Sequence, residues 1–75
     1  MFNKKRQVRV FGRQLSTVGT LIAMNNLKAS VEHYDTFEFS TNGAAFDVFT
    51  VKFKASDADY EKIVRQMKKY DIATL

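Results

Sequence analysis

Seventy-five residues, 45% of them apolar, with no Pro and no Cys, describe one small domain with a single core. They exclude a disordered tract, a disulfide-stapled scaffold and a thiolate metal site. The net charge is +4, five of the twelve Lys and Arg lie within residues 4–13, and the first acidic residue is Glu32, a bias that favours an anionic partner such as nucleic acid or an acidic protein surface.

The plain alternative is that this charge serves solubility. No run approaches the ~20 apolar residues needed to span a bilayer, so no membrane association is expected. Met1–Arg6 is basic like the start of a signal peptide, but Gln7-Val8-Arg9-Val10 adds another charge where an apolar stretch would follow. The expected compartment is therefore the cytoplasm. Residues 1–6 read as a basic N-terminal arm and residues 7–75 as a single domain.

Residues 7–12 alternate apolar and polar side chains, which predicts a short strand leaving at Gly12. Val8 and Val10 share one face, Arg9 and Phe11 the other. Residues 14–26 read as a helix, with Leu15, Val18, Leu21, Ile22 and Asn25 along one stripe. Gly19 and two Thr weaken it, so it depends on packing, or Gly19 marks a close approach to the sheet. Asn25-Asn26 is its stop, because Asn tolerates the left-handed conformation of a helix C-terminus.

Residues 29–40 and 45–54 read as a hairpin around Asn42-Gly43. A two-residue Asn-Gly turn pairs Phe39 with Phe46 and Tyr34 with Val51, and leaves neither face apolar along its length. A three-residue Thr41-Asn42-Gly43 loop, with Gly43 left-handed, places Val31, Phe37 and Phe39 on one face with Phe49, Val51 and Phe53. Burial favours this second register, since a one-residue slip exchanges the faces.

Residues 56–70 form the clearest helix. Ser56 caps it, Asp57 and Asp59 suit its positive end, and Lys68 and Lys69 suit its negative end. Tyr60, Ile63, Val64, Met67 and Tyr70 make the buried stripe. Asp71-Ile72-Ala73-Thr74-Leu75 remains for a short edge strand. The order predicts an α+β ferredoxin-like βαββαβ plait, an antiparallel sheet with two helices on one face and its first and third strands central.

Val51-Lys52-Phe53-Lys54, then Ser56 to Tyr70, then Asp71-Ile72, resemble the strand, capped helix and returning strand of ACT-type regulatory modules. That resemblance implies a small effector held near the turn after the first strand, here Gly12-Arg13-Gln14-Leu15, often at a dimer interface. RNA-recognition motifs share the plait, but Gly43-Ala44-Ala45-Phe46-Asp47-Val48 does not match their aromatic-rich core motif.

Catalysis has little to work with, and the chain reads as non-enzymatic. His33 is the only histidine; His33 and Asp35 share a strand face, and Asp47 across the hairpin could join them, a weak set for a metal. Gly12, Gly19 and Gly43 are isolated, so there is no Gly-rich phosphate loop, and no cofactor is expected.

The basic residues carry the functional reading. Lys4, Lys5 and Arg6 on the arm, Arg9 and Arg13 around the first strand, and Lys52 and Lys54 on the third would form a basic stripe with Phe11 on the helix-free face. Glu32 and Glu38 on the same face would offset part of it. The alternative is a homodimer or protein contact through the sheet face, with Phe11, Tyr34, Phe46 and Val48 outward, or through the edge of the second strand.

Overall fold

The computed structural model describes residues 3–38 and 43–74. Strand β1 spans Lys4–Phe11 and leads through a 3-10 turn, Gly12–Gln14, into helix α1, Leu15–Met24. Strand β2, Ala29–Glu38, and strand β3, Ala45–Ala55, follow, and helix α2, Asp57–Lys69, closes the order. The sheet is three-stranded in the order β1-β3-β2, and β3 runs antiparallel to both neighbours. The chain is thus α+β, as its periodicity predicts. Among the described residues no helix is long and apolar enough to cross a membrane.

Alternation along the strands decides where the helices go. Val8 and Val10 of β1 share a face with Val51, Phe53 and Ala55 of β3, since Val8 pairs with Val51 and Lys4 with Ala55. Val18, Leu21 and Ile22 of α1 and Ile63 and Met67 of α2 pack against that face in one cluster. Val10, Val18, Val51, Ala55 and Ile63 are fully buried. Burying each of these Val and Ile side chains contributes about 1.5–3 kcal/mol. Tyr60 and Val64 are half-buried, whereas Tyr70 is exposed and falls outside the expected stripe.

Both helices stop in the same way. Asn26 and Asp71 adopt left-handed backbone, with φ of 60° and 56°. The Asn26 and Leu27 N–H groups donate to Ala23 and Ile22, and those of Asp71 and Ile72 donate to Lys68 and Met67. These are paired Schellman motifs, each returning an apolar residue to the core. Asn26 is the stop that the sequence predicts.

Asp71 overturns the expected fourth strand. Its left-handed turn sends Ile72 into the core instead of along a sheet edge, and no strand forms among residues 71–74. β1 is consequently an edge rather than a central strand. Gly19 is also unlike one expectation: it is exposed, and a Cβ there would meet nothing within 4 Å. The close approach occurs at Gly12, where a Cβ would lie 3.1 Å from a Phe49 ring carbon.

At the start of α2 the Ser56 hydroxyl accepts from the Asp59 N–H at 3.2 Å. Asn25 ties the helices together, donating to the Leu21 carbonyl at 2.8 Å and to Gln66 Oε1 at 3.2 Å.

A candidate nucleic-acid interface on the helix-free face

The pairing of β2 with β3 changes partway. Ala29 to His33 pair in one register, with Val31 opposite Val51 and His33 opposite Phe49. From Asp35, opposite Val48, the register has moved by one, leaving Tyr34 as the extra residue of a β-bulge. Val31 therefore lies on the face of Phe49, Val51 and Phe53, as the longer-loop register predicts. Phe37 does not. It pairs with Phe46 and is carried to the helix-free face. Phe39, Thr41 and Asn42 lie outside the described residues, while Gly43 is left-handed, with φ of 69°.

The bulge assembles an aromatic groove. Phe11 from β1, Tyr34 and Phe37 from β2 and Phe46 from β3 line it, with Arg9, Arg13 and Glu38. Its volume is about 620 Å³. Phe11 and Phe46 meet edge to face, centroids 6.2 Å apart. The Arg13 guanidinium lies 5.9 Å from the Phe11 ring centre. Tyr34, Phe37 and Phe46 are 50%, 45% and 39% exposed, so their rings remain accessible. Val48 belongs to this face but is fully buried beneath its neighbours, so it supports the surface rather than meeting a partner.

The expected basic stripe divides in two. Lys5 and Arg9 alternate with the core valines and so share the open face with Lys52 and Lys54 of β3. Lys4 and Arg6 point to the helix side. The Lys4 Nζ lies 3.2 Å from an Asp57 oxygen, and the Arg6 guanidinium donates to the same carboxylate. Arg6 also donates to the Ala55 carbonyl at 3.3 Å and sits 4.6 Å from the Tyr60 ring centre. The hydrogen bond from Arg6, then that from Lys4, holds the Asp57 carboxyl below its ordinary range. These two cations pin the start of α2, and residues 4–6 are the first of β1 rather than a separate arm.

On the open face Lys52 pairs with Glu32 at 3.0 Å, as alternation predicts. Among the described residues no carboxylate oxygen lies within ion-pair distance of Lys5, Arg9, Arg13 or Lys54. Lys5, Lys52 and Lys54 line a second depression, of about 890 Å³, together with Lys28. Lys28 escaped the sequence reading because it lies in the α1–β2 connection, where no periodicity assigns a face.

His33 and Asp35 do not meet, because the bulge falls between them. Asp35 accepts from the Thr36 N–H at 2.8 Å. His33 Nε2 lies 3.2 Å from an Asp47 oxygen and 3.1 Å from the Thr36 hydroxyl, which donates to Asp47 at 2.6 Å. Hydrogen bonds from Thr36 and then His33 lower the Asp47 pKa. The His33 ring packs edge-on against Phe49, with centroids 5.4 Å apart. This cluster sits on the helix side of the sheet, away from the aromatic groove. No family model, curated protein or solved structure matches the chain.

Proposed function

We propose that this protein is a non-enzymatic binding module that takes nucleic acid on the helix-free face of its sheet. One observation carries the reading: Lys5, Arg9, Arg13, Lys52 and Lys54 share a surface with four aromatic rings, and only Lys52 among these cations is ion-paired among the described residues. Cations in this setting recruit phosphates by releasing counterions, with little dependence on base sequence. The strand order β1-β3-β2, with the core and both helices on one side among the described residues, supports reading the fold as a ferredoxin-like plait that lacks a fourth strand, and it leaves the opposite side for a ligand.

The test is fluorescence anisotropy with a labelled mixed-sequence oligonucleotide at low salt. Binding should weaken steeply as salt rises, and Lys5→Glu or Lys54→Glu should weaken it further. No binding at low salt would end the proposal.

A dimeric, ACT-like regulatory or adaptor module is the second reading, favoured by the exposed rings of Tyr34, Phe37 and Phe46. Pairing of the β2 edge with itself would bring Glu32, Asp35 and Glu38 against like charges, so the sheet face is the better dimer surface. Sedimentation at high concentration distinguishes the readings: a dimer split by Tyr34→Asp supports this one, and a strict monomer removes it.

A further inference from the structure

The geometry points to single-stranded nucleic acid as the ligand of the open face, its bases stacking in the Phe11–Tyr34–Phe37–Phe46 groove and its phosphates running toward Lys5, Lys52 and Lys54. This inference rests on the nucleic-acid reading above and narrows it.

The bulge is the first ground. A regular ladder continued from the Ala29–His33 register would set Phe37 opposite Ala45, on the helix side. The one extra residue at Tyr34 turns Phe37 onto the open face beside Phe46. Bulges re-aim side chains at the cost of ladder regularity and gather near binding sites. Here the outcome is a cluster of rings contributed by all three strands.

The second ground is the form of the surface. A duplex hides the faces of its bases and presents phosphates to a protein, so exposed rings gain little from it. A single strand offers each base as a flat apolar plate, and stacking on aromatic side chains tolerates any base. The groove volume of about 620 Å³ is in the range that receives small flat ligands.

The third ground is charge placement. Arg9, stacked on the Tyr34 ring at 4.0 Å, and Arg13 border the rings, where a guanidinium can neutralise a phosphate. Lys52 and Lys54 continue along β3 from Thr50, about 13 Å from Thr50 to Lys54 at the usual rise of a strand. Lys5 joins them across the ladder, opposite Lys54. The face thus has an aromatic end and a cationic end, matching the two parts of a nucleotide chain.

The experiment compares a labelled mixed-sequence DNA single strand of about a dozen nucleotides with the duplex of the same sequence. The proteins are the unaltered chain, Tyr34→Ala, Phe37→Ala and Tyr34→Phe, each checked by circular dichroism and thermal melting. The single strand should bind at least about tenfold more tightly than the duplex, and each Ala variant should lose about tenfold on the single strand. Tyr34→Phe keeps the ring and should lose less on the single strand than Tyr34→Ala.

Equal binding of both DNAs, unmoved by the Ala variants yet abolished by Lys5→Glu with Lys54→Glu, overturns this inference and leaves the broader proposal standing. Absence of binding to either DNA overturns both. A dimer that Tyr34→Asp splits, with no oligonucleotide bound, means that a second copy covers the groove and also overturns it.

Discussion

The Arg9 guanidinium lies 4.0 Å from the centre of the Tyr34 ring, bridging β1 to β2 over the intervening strand. Beneath it Thr50 of β3 is buried, and its hydroxyl accepts from Arg9 Nε at 3.4 Å. The two outer strands share no ladder, so this stack is a direct side-chain link between them. A partly exposed cation–π pair contributes about 0.5–1 kcal/mol. A double-mutant cycle of Arg9→Ala and Tyr34→Ala, read by urea unfolding, should show a coupling of that size. Additive effects would mean that the stack contributes nothing to folding.

Asn26 and Asp71 both hold left-handed backbone that glycine adopts without steric cost. Asn26→Gly and Asp71→Gly should each stabilise the fold by up to roughly 1 kcal/mol, measured by urea unfolding. The two should add, because they end different helices. A loss of stability at either site would show that its side chain contributes more than its backbone conformation costs.

Gly19 lies within α1 with open space where a Cβ would stand. Gly19→Ala should therefore stabilise the fold by about 1 kcal/mol, the helix-propensity difference, seen as a raised Tm. An unchanged or lowered Tm would mean that α1 gains nothing from intrinsic propensity.

Asp57 has its carboxyl pKa lowered by hydrogen bonds from Arg6 and Lys4, and Asp47 has its pKa lowered by Thr36 and His33. A carboxyl depressed in the folded state adds stability that is fully present above its unfolded pKa, about 3.9 for Asp, and is lost as pH falls through the folded value. Asp57→Asn should accordingly destabilise the protein at neutral pH, and the difference should shrink as the pH is taken below about 4. Both partners of the Lys4 pair are exposed, so added salt should narrow the gap as well. A difference that held constant from neutral pH into acid would exclude the ion pairs as its source.

The elements that carry strong local signals were legible in the sequence. Ser56 announces α2, Asn26 ends α1, and the alternation of Val8, Val10, Val51 and Phe53 fixes the core face. The site was legible in part. Alternation places Arg9, Phe11, Lys52 and Lys54 on the open face, and the Lys52–Glu32 pair follows from it; Lys5 joins them only because β1 begins at Lys4.

The bulge was not legible, because both hairpin registers considered carry one uniform parity from end to end. No glycine marks the slip at Tyr34, and Phe37 therefore reads as a helix-side residue. The division of the cations was hidden for a different reason. Lys4 and Arg6 alternate onto the helix side only if β1 starts at Lys4, and its partner Asp57 is distant in sequence. Asp71 was missed because an aspartate in left-handed backbone looks, in sequence, like the first residue of a returning strand.

All ten residues of β2 are exposed, Val31 at 48% among them, because the helices cover β1 and β3 instead. The strand is held through its ladder to β3 and by a few side-chain links, not by the interior. Its amides should exchange with solvent sooner than those of β3, through local openings that leave the rest intact. Surface positions of this kind tolerate replacement within about 0.5 kcal/mol. Exposed positions of β2 such as Phe37 can thus be replaced while the fold endures, and Tyr34 can be replaced at the further cost of its stack with Arg9.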